Sequence, residues 1–254
     1  MNYINKYWFL IKQFAITDFK LRYSNSILGY FWSLLNPLLQ FGVLLLVFSV
    51  ILRFDVPYYG LYLLLGIVMW SFLVEATNST MTSLLEKASL IKKINFQKQV
   101  IVISSNLRSL IGLILNLLVV SLFFIFFGVK LSITMLFFPF YLIIFFILTT
   151  GLSFFLSALY LRFRDIHYLW GIILQLGFWL TPIVYPINSV PERFSFLFNF
   201  NPMYGIIHNS REILIYGRMP EIYSTITLLF FSFVLFFIGY FTFKKMSDRF
   251  AEYV

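Results

Sequence analysis

Apolar residues in this chain fall in long continuous runs separated by short polar stretches. Runs of roughly 18 or more apolar residues read as membrane-spanning helices. Six such spans are expected, at about 34–52, 61–82, 101–127, 132–160, 168–187 and 222–243. The second has a polar end, with Thr77, Asn78, Ser79, Thr80, Thr82 and Ser83 close together. A transmembrane β-barrel would need alternation with a period of two, and these runs are continuous. Residues 4–22 follow another pattern. Ile4, Trp8, Ile11, Ala15 and Phe19 recur at helical spacing, while Lys6, Gln13, Thr17 and Lys20 take another face. Such a helix lies in the plane of the membrane interface.

The segment 188–221 is too apolar for a free loop, with Phe194, Phe196, Leu197, Phe198 and Phe200, then Ile206, Ile207, Ile213 and Leu214. Pro186, Pro191, Pro202 and Pro220 break it up. Two short re-entrant helices dipping into the outer leaflet fit this pattern, because neighbouring spans can hold irregular backbone at membrane depth. The expected fold class is therefore all-α integral membrane, with six transmembrane helices, an amino-terminal amphipathic interfacial helix and re-entrant helices before the last span. It forms one domain over 1–254, divided into an interfacial region 1–33, spans one to five over 34–187, an external loop 188–221, and the last span and tail 222–254.

Composition narrows this further. The chain is 61% hydrophobic and 11% charged, against roughly 45–50% and about 25% for a soluble domain. It has too little charge to cover a water-facing surface. There is no cysteine, which excludes disulfides and thiolate metal ligands. The first residues carry charges throughout, at Lys6, Lys12, Asp18, Lys20 and Arg22, so no removable signal peptide is expected. The net charge of +9 does not call for nucleic acid, because the basic residues flank the spans as the positive-inside rule requires. Lys6, Lys12, Lys20, Arg22, Lys87, Lys92, Lys93, Lys98, Arg162, Arg164, Lys244, Lys245 and Arg249 fall on one side. Arg53, Lys130, Arg193, Arg211 and Arg218 fall on the other, with Arg108 inside a span. Both termini should therefore be cytoplasmic.

The chemistry of catalysis is sparse. No G-x-x-x-x-G-K-[ST] loop is present, so the chain does not hold and hydrolyse ATP in that way. There is no Gly-x-Ser-x-Gly elbow. His167 and His208 belong to opposite sides of the membrane, and without cysteine a zinc site is not expected. Asp165 adjoins Arg164 and Glu212 adjoins Arg211, which suggests ion pairs rather than acid–base catalysis. No catalytic or metal-binding residues are assigned. Ionisable groups inside spans cost about 2.5–3.5 kcal/mol at a helix centre, which singles out Glu75 and Arg108. They either pair with each other and orient two helices or face an aqueous path.

Aromatic residues make up 22% of the chain, including 34 Phe and 16 Tyr. Tyr30, Trp32, Tyr58, Tyr59, Tyr62, Trp70, Trp170, Trp179 and Tyr185 sit near the expected span ends. An interfacial aromatic belt accounts for them, and a stacking surface for sugar rings is the sharper alternative. The basic loop 86–98, with Leu90, Ile91 and Ile94 as an apolar stripe, satisfies the positive-inside rule and could also form a short docking helix.

Taken in order, the motifs resemble a known family. Asp18-Phe19-Lys20-Leu21-Arg22-Tyr23, Leu28-Gly29-Tyr30-Phe31-Trp32 and Asn36-Pro37-Leu38 are similar to its amino-terminal signature. Leu90-Ile91-Lys92-Lys93-Ile94-Asn95-Phe96 resembles its first cytoplasmic coupling segment. Arg164-Asp165-Ile166, Thr181-Pro182-Ile183-Val184-Tyr185, Asn201-Pro202-Met203-Tyr204 and the terminal Phe250-Ala251-Glu252-Tyr253 resemble its later signatures. The family is the membrane permease of ABC-2-type polysaccharide exporters, which handle O-antigen, teichoic acid and related capsular polymers. One departure is that Gln97 and Val100-Ile101-Val102 stand where the family often has proline.

The resemblance implies a homodimer of permeases bound to two copies of a separate ATP-binding subunit, with ATP and Mg held in that partner and no cofactor in this chain. It implies a polysaccharide linked to polyprenyl diphosphate as cargo, in the cytoplasmic membrane of a prokaryote. Leu90, Ile91, Lys92, Lys93, Ile94 and Phe96 would couple to the ATPase. Lys20, Arg22, Arg162 and Arg164 would meet the lipid head group at the entrance. Tyr30, Trp32, Tyr59, Tyr62, Trp70, Trp179 and Tyr185 would line the channel. The rival expectations are an ABC-2-type permease for a drug or small lipid and a membrane-embedded enzyme of glycan assembly.

Overall fold

Helix α1 (Tyr3–Tyr23) opens the chain and α2 (Phe31–Leu45) follows, continued by a π-helical turn over Leu46–Ile51. The computed structural model describes residues 3–23, 29, 31–51, 56–94 and 96–247. Tyr30, Asn95 and the terminal Phe250–Tyr253 motif lie outside the described residues, as does the side chain of Arg22. The described residues are helical or irregular, with no strand among them.

Five helical runs are long and apolar enough to cross a membrane: Phe31–Ser49, Tyr59–Glu86, Gln99–Phe126, Ile133–Arg162 and Ile222–Ser247. They match the first four and the last of the expected spans to within a few residues. Helix α3 (Tyr59–Glu86) is the hub. It packs against α2, α5 (Gln99–Phe126), α6 (Phe138–Arg162), α7 (Ile166–Leu180) and α9 (Pro202–Leu214). The helix with the polar end is thus the most buried one, and it runs beyond residue 82 because its hydroxyls need no water. Thr77, Thr80 and Ser83 donate back to the carbonyls of Leu73, Ala76 and Thr80 at 2.6–2.7 Å. Asn106 of α5 donates to the Thr80 hydroxyl, and Ser157 of α6 to the Thr80 carbonyl.

Helix α6 packs most intimately on α10 (Ile222–Ser247), where Gly151 and Gly239 face each other. A side chain on Gly151 would meet the Phe236 backbone at 2.5 Å, so the two backbones touch only because both residues lack one. At one end of the bundle Leu84, Ile101, Phe154, Leu161 and Phe243 form a second apolar cluster. It gathers the end of α3, the start of α5 and the ends of α6 and α10. The basic residues Lys87, Lys98, Arg162, Lys244 and Lys245 therefore share one end of the molecule.

Two expectations are corrected. The fifth span does not run to 187, because α7 stops at Leu180. Thr181 is extended ahead of Pro182, as the residue before proline prefers. At 15 residues α7 is about 22 Å long, short of a bilayer core of about 30 Å. The apolar residues Ile183 and Val184 continue the hydropathy signal but are buried non-helical backbone. The apolar stripe of α1 is also divided. Ile11 and Ala15 are buried on the side that packs on α5, whereas Trp8 faces outward.

The segment 188–221 carries α8 (Ser195–Asn199) and α9. The Asn201-Pro202 pair starts α9 for a local reason. The Asn201 side chain accepts from the Met203 and Tyr204 amides at 3.0 and 3.3 Å, and Pro202 occupies the first turn, where no amide is needed.

Candidate functional site

A cavity of about 1250 Å³ lies between α2, α3, α5 and α7. Trp32, Trp70 and Trp179 line it, together with Glu75. Trp70 stands edge-on to Phe178 with ring centres 6.1 Å apart. Five side-chain amides share the lining with mostly apolar side chains: Asn36, Gln40, Asn78, Asn116 and Gln175. They come from four helices, so only the assembled bundle brings them together. Glu75 points at α5, its carboxylate 3.7 Å from where a side chain on Gly112 would begin. Arg108 lies one turn earlier on α5, half-buried, with its Nε unbonded.

Tyr59, Tyr62 and Tyr185 do not line this cavity. Tyr59 and Tyr62 are buried at the far end of α3 and bind the irregular backbone after α7. Tyr59 donates to the Val184 carbonyl at 2.8 Å, and Tyr62 lies within reach of the Pro182 and Tyr185 carbonyls at 3.2 and 3.1 Å. Tyr185 donates to the Trp179 carbonyl.

The decisive partner of this break is Arg211, 2% exposed. Its Nη1 donates to Pro182 at 2.7 Å and its Nη2 to Ile183 at 2.8 Å. Nε and Nη2 both donate to the Tyr62 carbonyl, and the guanidinium lies on the Tyr62 ring. The expected pair with Glu212 does not form among the described residues. Adjacent residues on a helix point about 100° apart, so one cannot reach the other while facing inward. In the turn between α6 and α7, Arg164 lies over the Tyr160 ring, 5.2 Å from its centre, rather than against Asp165. Gly66 makes room for the guanidinium, since a side chain there would fall 2.6 Å from Nη2. The two late motifs are joined directly, with Asn201 donating to the Thr181 hydroxyl at 3.0 Å.

Beside this block, His208 stacks on Tyr204 with ring centres 5.3 Å apart. Burial holds its imidazole below the ordinary range, against the opposing pull of Glu212. Among the described residues no group of three His, Asp or Glu could hold a metal ion.

At the basic end, α4 (Ala88–Lys93) is a short helix whose Lys92 and Lys93 are exposed, as is Ile94 just beyond it. Leu90 and Ile91 are half-buried, and Ile91 and Phe96 pack on the second apolar cluster. Phe96 contacts Phe14 of α1 at 6.1 Å between ring centres. Lys87, just before α4, pairs with Asp18 of α1 and lies over the Phe14 ring. Thus α1, α4 and α5 are joined side by side. Lys20, Arg162 and Arg164 are exposed.

An all-helical bundle with a polar, aromatic cavity and a basic helical face outside its spans has the form of a transport permease. Residues 10–215 match the ABC-2 type transporter family, and the chain belongs to it. It is 32% identical to the O-antigen export system permease protein RfbA of Klebsiella pneumoniae over 92% of this chain and 91% of that protein. It is 26% identical to the protein of the same name from Myxococcus xanthus, again over 92% and 91%. It is 23% identical to the polysialic acid transport protein KpsM of Escherichia coli over 90% of each. The protein is thus a multi-pass membrane permease, and its family implies a separate ATPase partner.

Proposed function

We propose that this chain is the permease subunit of an ATP-driven exporter that moves a polysaccharide linked to polyprenyl diphosphate across the cytoplasmic membrane. The observation that carries this reading is the cavity of about 1250 Å³, whose lining includes three tryptophans and five side-chain amides. Tryptophan stacks on the apolar faces of sugar rings, and amides both donate to and accept from hydroxyls. Weak repeated contacts of this kind suit a moving polymer, because each position must also release.

Two copies related by a two-fold axis would join their cavities into one path. The exposed apolar side chains Leu39 and Val43 of α2, with Ile172 and Leu176 of α7, flank the cavity on the side where the second copy would stand. The basic end is cytoplasmic under the positive-inside rule. There Arg162 and Arg164, with Lys20, meet the diphosphate head group. The exposed Lys92, Lys93 and Ile94 meet the ATPase. Movement of that partner is passed through the contacts from α4 to α1 and α5 as a rigid shift that widens the space between the two copies. The break at 181–185 with α9 closes the outer end.

The test is co-purification of the tagged chain from mild detergent, with ATPase activity of the eluate, beside loss of surface polysaccharide on deletion. The reading expects a stoichiometric ATPase and restoration of the polymer by the wild type but not by a Trp70→Ala, Trp179→Ala double variant. Full restoration by that double variant would remove the cavity from the path.

A further inference from the structure

We infer that an apolar groove between α6, α7 and α10 seats the hydrocarbon tail of the lipid-linked cargo while the glycan occupies the cavity, so that the cargo straddles the start of α7. This rests on the translocation reading above and adds the place of the lipid. The groove has a volume of about 310 Å³. Phe155 and Leu159 of α6, Leu169 and Ile173 of α7, and Leu235 and Ile238 of α10 line it. The one polar side-chain atom among its described lining residues, the Trp170 indole N–H, is taken by the Thr77 hydroxyl at 2.8 Å. A sugar would find no hydrogen bond there, and a hydrocarbon needs none.

Apolar walls alone do not choose an occupant, because the surrounding bilayer is just as apolar. Three features of the fold do. The first is the layout of α7. Ile166, Leu169, Trp170 and Ile173 face the groove, whereas Leu174, Gln175, Phe178 and Trp179 line the cavity. With 3.6 residues per turn these are opposite sides of one helix. Helix α7 is thus a wall between a site that suits sugars and a site that excludes them. The second feature is charge. The groove reaches the basic end of the bundle at Leu159 and Ile166, close in sequence to the exposed Arg162 and Arg164. Their guanidinium groups lie over the Phe163 and Tyr160 rings at 5.1 and 5.2 Å. Among the described residues neither forms an ion pair, although Asp165 stands in the same turn. Both can meet a phosphate with two parallel hydrogen bonds. The third feature is width. On a rise of about 1.5 Å per residue, Gly151 to Leu159 spans about 12 Å, which gives the groove a cross-section of about 26 Å². That is one chain wide. A polyprenyl lipid has one chain and a phospholipid has two. A head group held by the arginines keeps its tail at the mouth of the groove, and this local concentration selects the tail over the bulk lipid.

The experiment uses the full chain purified with its ATPase partner in phosphatidylcholine nanodiscs. The probe is a polyprenyl diphosphate with a diazirine in an isoprene unit close to the head group, and cross-linked peptides are read by mass spectrometry. Labels should concentrate on 155–159 and 169–173. Unlabelled polyprenyl diphosphate should displace them, and phosphatidylglycerol at the same concentration should not. Ile173→Trp, which fills the groove from an exposed position, should reduce labelling several-fold, and so should Arg162→Gln with Arg164→Gln. Labels spread evenly over the exposed apolar faces, Leu118 and Leu122 of α5 included, would overturn the tail site. Equal displacement by phosphatidylglycerol would overturn it too, by making the groove a seat for bulk lipid. Full labelling of Ile173→Trp would do the same. The Trp70→Ala, Trp179→Ala variant should keep the groove label. Full export by that variant would remove the glycan from the cavity and leave the tail site standing, so the two readings fail separately. If Ile173→Trp does not assemble with the ATPase, Leu169→Trp takes its place, and the competition on the wild type decides without any variant.

Discussion

Four consecutive backbone carbonyls at the far end of the bundle, from Pro182 to Tyr185, each lie within hydrogen-bond reach of a side chain from α3 or α9. At the basic end the arrangement is reversed. Lys92, Lys93, Arg162 and Arg164 point outward, and α4 is joined to α1 by the Lys87–Asp18 pair and two contacts of the Phe14 ring. The far end satisfies irregular backbone inside protein, which membrane depth requires. It is therefore costly to disturb. The basic end leaves its charges in water while Ile91 and Phe96 pack on the second apolar cluster, so its exposed cations can meet a partner.

The largest expected effect tests the far end. Arg211→Met removes the donors to Tyr62 and Ile183 and one donor to Pro182. Each buried carbonyl left without a donor costs about 1–3 kcal/mol. The thermal unfolding midpoint in detergent should fall sharply, and Arg211→Lys should restore little, because an ammonium lacks the fork that reaches three carbonyls. Next is Gly66→Ala, whose new methyl falls 2.6 Å from Nη2 and 3.1 Å from Ile183. Overpacking of this kind costs about 1–3 kcal/mol. The same change should cost clearly less in an Arg211→Met background, and a double-mutant cycle reads that coupling.

Hydroxyl removal should be milder. Tyr62→Phe, which removes one hydrogen shared between two carbonyls, and Tyr59→Phe, which removes one bond of 2.8 Å, should each cost about 1–2 kcal/mol. Midpoints unchanged in both variants would mean that Arg211 alone holds the break. The smallest effect on stability belongs to the basic end. Lys92→Ala with Lys93→Ala should shift stability by no more than about 0.5 kcal/mol yet reduce the ATPase recovered in a pull-down several-fold. A large loss of stability there would erase the contrast between the two ends.

The legibility of the two regions differs for a related reason. At the basic end, Lys92, Lys93, Arg162 and Arg164 were readable because their exposure follows from charge and from span boundaries. The Asn201-Pro202 start of α9 was also readable, since a capping side chain and a proline in the first turn act within four residues. The Arg211 clamp was not. Its carbonyl partners lie 149, 29 and 28 positions away along the chain, and the neighbouring Glu212 offered a misleading local partner. Tyr59 and Tyr62 were placed among channel aromatics by the family resemblance, whereas hydropathy shows only that an aromatic lies near a span end. Which side it faces depends on the helix that packs there.

Local chemistry was enough to require helices in a bilayer, to place five long spans, and to put most of the cations of this chain at one end. Each of these follows from transfer of contiguous residues between water and lipid, which needs no knowledge of neighbours. The burial of the break at 181–185, the burial of Arg211 and the convergence of one carboxylate with amides from four helices needed the assembled bundle. A carbonyl freed by proline, or an amide on an apolar helix, is tolerated only where a distant part of the chain supplies its partner or its cavity. That condition is met by packing and not by any local run of residues.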